Sequence, residues 1–134
     1  MKHILVPTDF SDNAWNALKY GIELFQKTKC TFYLVHINPI PTYSGAGTSL
    51  RSASEDFRQN ILKESKLELQ NLLDRIAKET TQTSKHTFVP IALYDFFVDA
   101  IKRESENKKI DLIIMGTKGA SGLKKATIGS NTGD

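Results

Sequence analysis

A chain of 134 residues can bury one sizeable core and is too short for two ordinary domains. Its 40% hydrophobic and 25% charged content excludes disordered and fibrous classes, and no apolar run nears the roughly 20 residues that span a bilayer. The net charge of +3 comes from 18 basic and 15 acidic residues interspersed along the chain, which leaves no nucleic-acid footprint, and the lone Cys30 suits a reducing cytoplasm.

The first element is a strand, Ile4 to Pro7, with no cleavable signal pattern before it. It stops at Pro7-Thr8-Asp9, where Ser11 or Asp12 can cap a following helix whose inner face carries Ala14, Ala17, Leu18, Gly21 and Phe25. Thr31 to Ile37 is aromatic, β-branched and almost free of charge, as in a strand covered on both faces. Cys30 heads this run as a small buried thiol, and His36 closes it as a packed or pocket-edge residue. The stretch from Asn38 to Leu50 holds Pro39, Pro41, Gly45 and Gly47 and reads as a surface loop.

Helical spacing resumes from about Arg51 to Lys78, with Phe57, Ile61, Leu62, Leu69, Leu72, Leu73 and Ile76 on one stripe and Leu67 off it. Thr87 to Leu93 is a third strand. Phe97, Ala100 and Ile101 mark the inner face of a third helix ending near Asn107, and Ile110 to Met115 is a fourth strand. Alternation of this kind specifies an α/β fold, a three-layer doubly wound parallel sheet with right-handed crossovers. In such sheets ligands bind beyond the carboxyl ends of the strands, where the strand order reverses. Asp9, the segment after Val35 and the stretch after Met115 all leave strands at that end.

After Met115, Gly116 and Gly119 are separated by two residues, and nine more lead to the pair Gly129-Ser130. Glycines let backbone N–H groups approach an anion without a Cβ in the way, and Ser130 adds a hydroxyl where a helix could start. The spacing therefore points to nucleotide phosphate. Lys118, Lys124 and Lys125 fall inside this stretch, where solvated and phosphate-facing roles are both open. Asp9 suits a turn hydrogen bond and also a contact with ribose or base, and the two roles can coexist.

Other chemistries fail on spacing. There is no GxxxxGK[ST] and no GxGxxG after the first strand. Leu93-Tyr94-Asp95 is a poor phospho-acceptor for a receiver domain. His3, His36 and His86 are far apart and Cys30 has no cysteine partner, so no metal site is expected. No nucleophile, base and orienter can be nominated.

The start Ile4-Leu5-Val6-Pro7-Thr8-Asp9-Phe10-Ser11, the strand Leu34-Val35-His36-Ile37, and the run from Asp111 through Gly122 closing on Gly129-Ser130 resemble the universal stress protein (UspA-like) family. The glycine spacing resembles that of its ATP-binding branch. The resemblance implies a sheet of order 3-2-1-4-5 with ATP or AMP at the switch point. Pro7, Thr8 and Asp9 would line the adenosine side, with Asp9 on the ribose, and Val35 would border the adenine. Met115 and Gly116 would lie under the nucleotide. Gly119, Gly129 and Ser130 would hold the phosphates, with Lys118 strengthening their attraction where many relatives have histidine, and Asn131 would contribute a backbone N–H. Mg²⁺ would accompany a triphosphate.

A complete unit would add a helix and an edge strand beyond Ser130, about 15 to 20 residues at average lengths. The expectation is thus a single domain over residues 1–134, truncated before its last strand, or the first of a tandem pair. Relatives commonly dimerise through that strand, so a homodimer or tandem arrangement is expected of the full-length protein. The functional expectation is a cytoplasmic ATP- or AMP-binding stress-response module with little or no turnover. Slow ATP hydrolysis is the enzymatic alternative, and a dimerisation or partner-docking domain without nucleotide is the non-enzymatic one.

Overall fold

The computed structural model describes residues 1–40, 54–116 and 126–130. In chain order the elements are β1 (Lys2–Pro7), α1 (Asp12–Leu24), β2 (Cys30–Pro39), α2 (Ser54–Glu79), β3 (His86–Asp95), α3 (Phe97–Asn107), β4 (Leu112–Gly116) and β5 (Ala126–Ser130). They form one sheet of order β3-β2-β1-β4-β5. β1 is parallel to both β2 and β4, and β2 is parallel to β3.

Alternating side chains of β1 and β2 feed two separate cores. Ile4, Val6, Phe32 and Leu34 point to one face and pack with Trp15, Leu18 and Ile22 of α1 and Leu69, Leu72 and Ile76 of α2. Leu5, Val35 and Ile37 point to the other and meet Ala100 of α3 and Ile110. Two crossovers toward β3 place α1 and α2 on one face. The return crossover from β3 to β4 places α3 on the other, as right-handed connections require.

Ser11 is the N-cap of α1, its Oγ accepting from Ala14 N at 3.2 Å. Trp15 and Ile22 widen the buried face foreseen for that helix, and Phe25 caps its carboxyl end. Cys30 is fully buried, and burial pushes its thiol pKa up. Leu67 is exposed, as its place off the stripe implied. Phe57 is exposed too, against expectation, with its ring edge-on to Tyr94. Pro90 stands in β3, an edge strand, where one side has no partner strand to supply.

Two expectations change. β2 continues through Asn38 and Pro39, which pair with Tyr94 and Asp95. The surface loop expected there is shorter by those two residues, and its part within 41–53 lies outside the described residues. Asn38 holds the strand end by donating Nδ2 to Ser65 Oγ at 2.7 Å and to the Leu93 carbonyl at 3.2 Å. At the other edge, Ala126–Ser130 returns antiparallel along β4. Gly129 and Ser130, expected to begin a helix, are strand residues instead. Thr127 and Ile128 favour extended backbone, and a local return connection suits antiparallel pairing. Among the described residues the sheet has no parallel fifth strand.

Phe32 is fully buried, with the Phe88 ring stacked at 5.2 Å and the His86 ring edge-on at 5.0 Å. Phe32→Ala is expected to cost about 3–5 kcal/mol, read as a lower midpoint in urea at an unchanged slope.

Candidate functional site

The carboxyl ends of β1 and β4 lie next to one another in the sheet, beside β2, which runs on past the end of β1. Pro7 is level with Val35, and the Thr8 amide donates to the Val35 carbonyl at 2.9 Å, extending the ladder by one residue. Beyond it the turn is held by its own side chains. The Phe10 amide donates to Thr8 Oγ1 at 3.1 Å and the Ser11 amide to Asp9 Oδ1 at 3.0 Å. Phe10 has φ 64, a left-handed conformation that costs a bulky residue on the order of 1–3 kcal/mol. Its ring is 4.6 Å from that of His36, whose Nδ1 donates to the Thr8 carbonyl at 2.8 Å. A carbonyl can only accept, so Nδ1 carries the proton.

The result is a crevice of ≈ 290 Å³ at the carboxyl ends of the three strands. Its lining includes Pro7, Thr8, Asp9, Val35, Met115 and Gly116, six of the residues nominated from sequence. It also includes Ser11, Asn13, Ala14, His36, Ile37 and Phe97. The lining is divided by chemistry. Pro7, Val35, Ile37, Phe97 and Met115 supply an apolar part, while Thr8, Asp9, Ser11 and Asn13 of the β1–α1 turn supply a polar one. The amino end of α1 lies at this polar side, where the helix dipole favours negative charge.

The remaining nominations separate. Gly129 and Ser130 pair with Ile113 and Leu112, toward the amino end of β4. Leu112 lies four residues, about 13 Å, from Gly116 at the crevice. The strand pairing thus sets both residues apart from the crevice lining. Lys118, Gly119 and Asn131 lie outside the described residues.

Of the lining residues not nominated, Ile37 was within reach of a register argument. β2 outruns β1, so the residue two beyond Val35 on the same face overhangs the strand end. Phe97 was expected on the inner face of its helix and instead is 42% exposed at the crevice. Only the position of the β3–α3 junction, at the same end of the sheet as Asp9, hinted at this. Asp95 clamps that junction: Oδ1 accepts from the Phe96 amide and Oδ2 from Arg103 Nη1, both at 2.7 Å. A second hollow of ≈ 180 Å³ lies behind the β1–α1 turn, between α1 and α2. There the Arg75 guanidinium covers the buried Trp15 ring at 4.0 Å and pairs with Glu79 at 3.2 Å. This hollow lies in the helix layer and shares Thr8, Ser11 and Ala14 with the crevice. Among the described residues no group of three or more His, Cys, Asp or Glu could hold a metal, and no helix is long and apolar enough to cross a membrane.

Comparison with known proteins gives a consistent result. The model of the universal stress protein family matches residues 1–134. Two proteins of Methanocaldococcus jannaschii are similar in sequence. Universal stress protein MJ0531 is 28% identical, over 96% of this chain and 72% of its own length. Universal stress protein MJ0577 is 29% identical, over 98% of this chain and 85% of its own. The solved structure of MJ0577 superposes with a TM-score of 0.69 at 24% identity, covering 92% of this chain and 79% of that one. The universal stress protein UspA of Lactobacillus plantarum gives 0.67 at 19%, covering 92% and 83%.

Two outcomes test the site's geometry. A Cβ on Gly116 would stand 2.8 Å from the Asn13 carbonyl oxygen, which is backbone and cannot swing aside. Gly116→Ala should therefore push the start of α1 from the end of β4 and cost about 1–3 kcal/mol in chemical denaturation. The second outcome concerns pH. The hydrogen bond from Arg103, then that from the Phe96 amide, hold the Asp95 pKa below the usual carboxylate range. A depressed folded pKa stabilises above the unfolded value, and that contribution is lost as pH falls through the folded one. Carboxyl NMR titration should show the Asp95 midpoint rising toward the ordinary value in Arg103→Met, with the Phe96 amide shift following it.

Proposed function

This chain belongs to the universal stress protein family, and from that premise we propose that it is a cytoplasmic module that binds ATP or AMP and acts by binding, with little or no turnover. The observation that carries the proposal is the divided crevice at the ends of β1, β2 and β4. A nucleoside has the same division: a flat ring of low polarity joined to a hydroxyl-bearing sugar and, beyond it, negative charge. The apolar part formed by Val35, Ile37 and Met115 suits the base. Asp9, beside the polar turn, suits the ribose hydroxyls, which donate well to a carboxylate.

Gly116 carries the chain past Asn13 at a separation that leaves no room for a side chain. Lys118 and Gly119 follow within three residues of it in sequence, which supports phosphate contact there, with Mg²⁺ accompanying a triphosphate. Gly129 and Ser130 have no part in the proposal, since their pairing puts them at the other end of β4. The buried Cys30 thiol suits a reducing compartment.

Calorimetric titration of the chain with ATP and with AMP, each with Mg²⁺, tests the proposal. Saturable one-to-one binding is expected. Asp9→Asn keeps an acceptor for the Ser11 amide and removes the charge, so it should weaken binding roughly fivefold to tenfold without lowering the thermal midpoint. No binding at millimolar nucleotide would overturn the reading in favour of a partner-docking domain of the same fold.

A further inference from the structure

Phe96, Phe97 and Val98 are 43%, 42% and 65% exposed, three consecutive large apolar residues turned partly to water where β3 gives way to α3. A single exposed apolar residue is ordinary, whereas a run of three is not. Of the three, only Phe97 lines the crevice. It does so from the first turn of α3, and Val35 and Ile37 of β2 line the same crevice.

The ring is carried on a fixed base. Asp95 ties the Phe96 amide and Arg103 together across the first turns of α3. Ala100, one turn after Phe97, is fully buried against the sheet. With the backbone fixed in this way, only the two side-chain torsions of Phe97 remain to be ordered when a ligand covers the ring.

We infer that Phe97 is a binding residue whose ring stacks on the base of the nucleotide, and that it makes the site select purine over pyrimidine. The inference rests on the nucleotide reading above and adds to it a residue and a specificity. An exposed aromatic ring lining a crevice that Thr8 and Asp9 also line favours a planar partner over an aliphatic one, because aromatic pairs gain contact energy beyond the area they bury. Stacking on a side chain tolerates any base, and the larger bicyclic ring offers more face to it.

The test uses the full chain and four probes: ATP, adenosine, AMP and UTP. Phe97→Ala and Phe97→Leu are expected to weaken ATP, AMP and adenosine by a common factor of about tenfold or more, since the lost contact is with the base alone. Phe97→Tyr should stay near wild type, and so should Phe96→Ala, which removes an equally exposed ring outside the crevice. The preference for ATP over UTP should narrow in Phe97→Leu. In wild type, adenosine should shift the Phe97 ring-proton resonances upfield, a ring-current signature that a merely structural role would not produce. This readout also decides the matter if the alanine variant folds poorly.

Wild-type affinity in Phe97→Leu, or no ring-current shift on saturation with adenosine, overturns the inference while leaving nucleotide binding in place. Wild-type protein that binds none of the four probes overturns both.

Discussion

The structure depends on burying β1 on both faces. Its side chains alternate between two cores, Ile4 and Val6 in one and Leu5 in the other. A central strand with neighbours on each side cannot be covered by one layer of helices. Once the chain has built β2 and β3 on one flank, it must cross back over the sheet to place β4 on the other. The handedness of that crossover sends α3 to the opposite face from α1 and α2. The crevice is the space left where the connections part. It follows from topology before any particular side chain is considered.

Side chains then give that space its two characters. The polar part is a single short turn in which the Thr8 and Asp9 side chains accept from the Phe10 and Ser11 amides, and Phe10 is held in a conformation its bulk disfavours. The tilted contact of the Phe10 ring with His36 and the His36 bond to the Thr8 carbonyl hold it there from the neighbouring strand. Strain retained in this way fits a turn whose shape matters more than its local stability. The apolar part comes from the strand ends themselves and needs no special geometry. Its one unusual component is the junction of β3 and α3, where the Asp95 clamp secures a segment rich in exposed apolar side chains.

Much of this was legible in the amino-acid sequence. Strands buried on both faces announce themselves as short charge-free runs, and the helices by their stripes, so the order of elements and the three layers could be read directly. Asp9 and Gly116 were recognisable because the chain leaves strands there at the ligand-binding end of the sheet, whereas Pro7, Thr8, Val35 and Met115 came from the resemblance to the universal stress protein family. What escaped depended on pairing between distant segments. That β2 outruns β1 and thereby exposes Ile37 is a matter of register, and a run of apolar residues does not state its register. Phe97 falls at helical spacing with Ala100 and Ile101, but at the first position of a helix that spacing does not show whether the ring reaches the core or the cleft. Gly129 and Ser130 resemble a helix start in composition, yet Thr127 and Ile128 beside them favour extension, and the open edge of β4 decided between the two.

Trp15 is the only tryptophan in the chain. It lies behind the β1–α1 turn with Arg75 of α2 laid over its ring. The indole emission of the molecule, excited at wavelengths that tyrosine does not absorb, therefore originates from one side chain, seated where α1 and α2 meet, beneath a cation. Thr8, Ser11 and Ala14 line both this hollow and the crevice. Nature has thus placed an optical gauge one turn of backbone from the cleft, in native protein and without any attached dye.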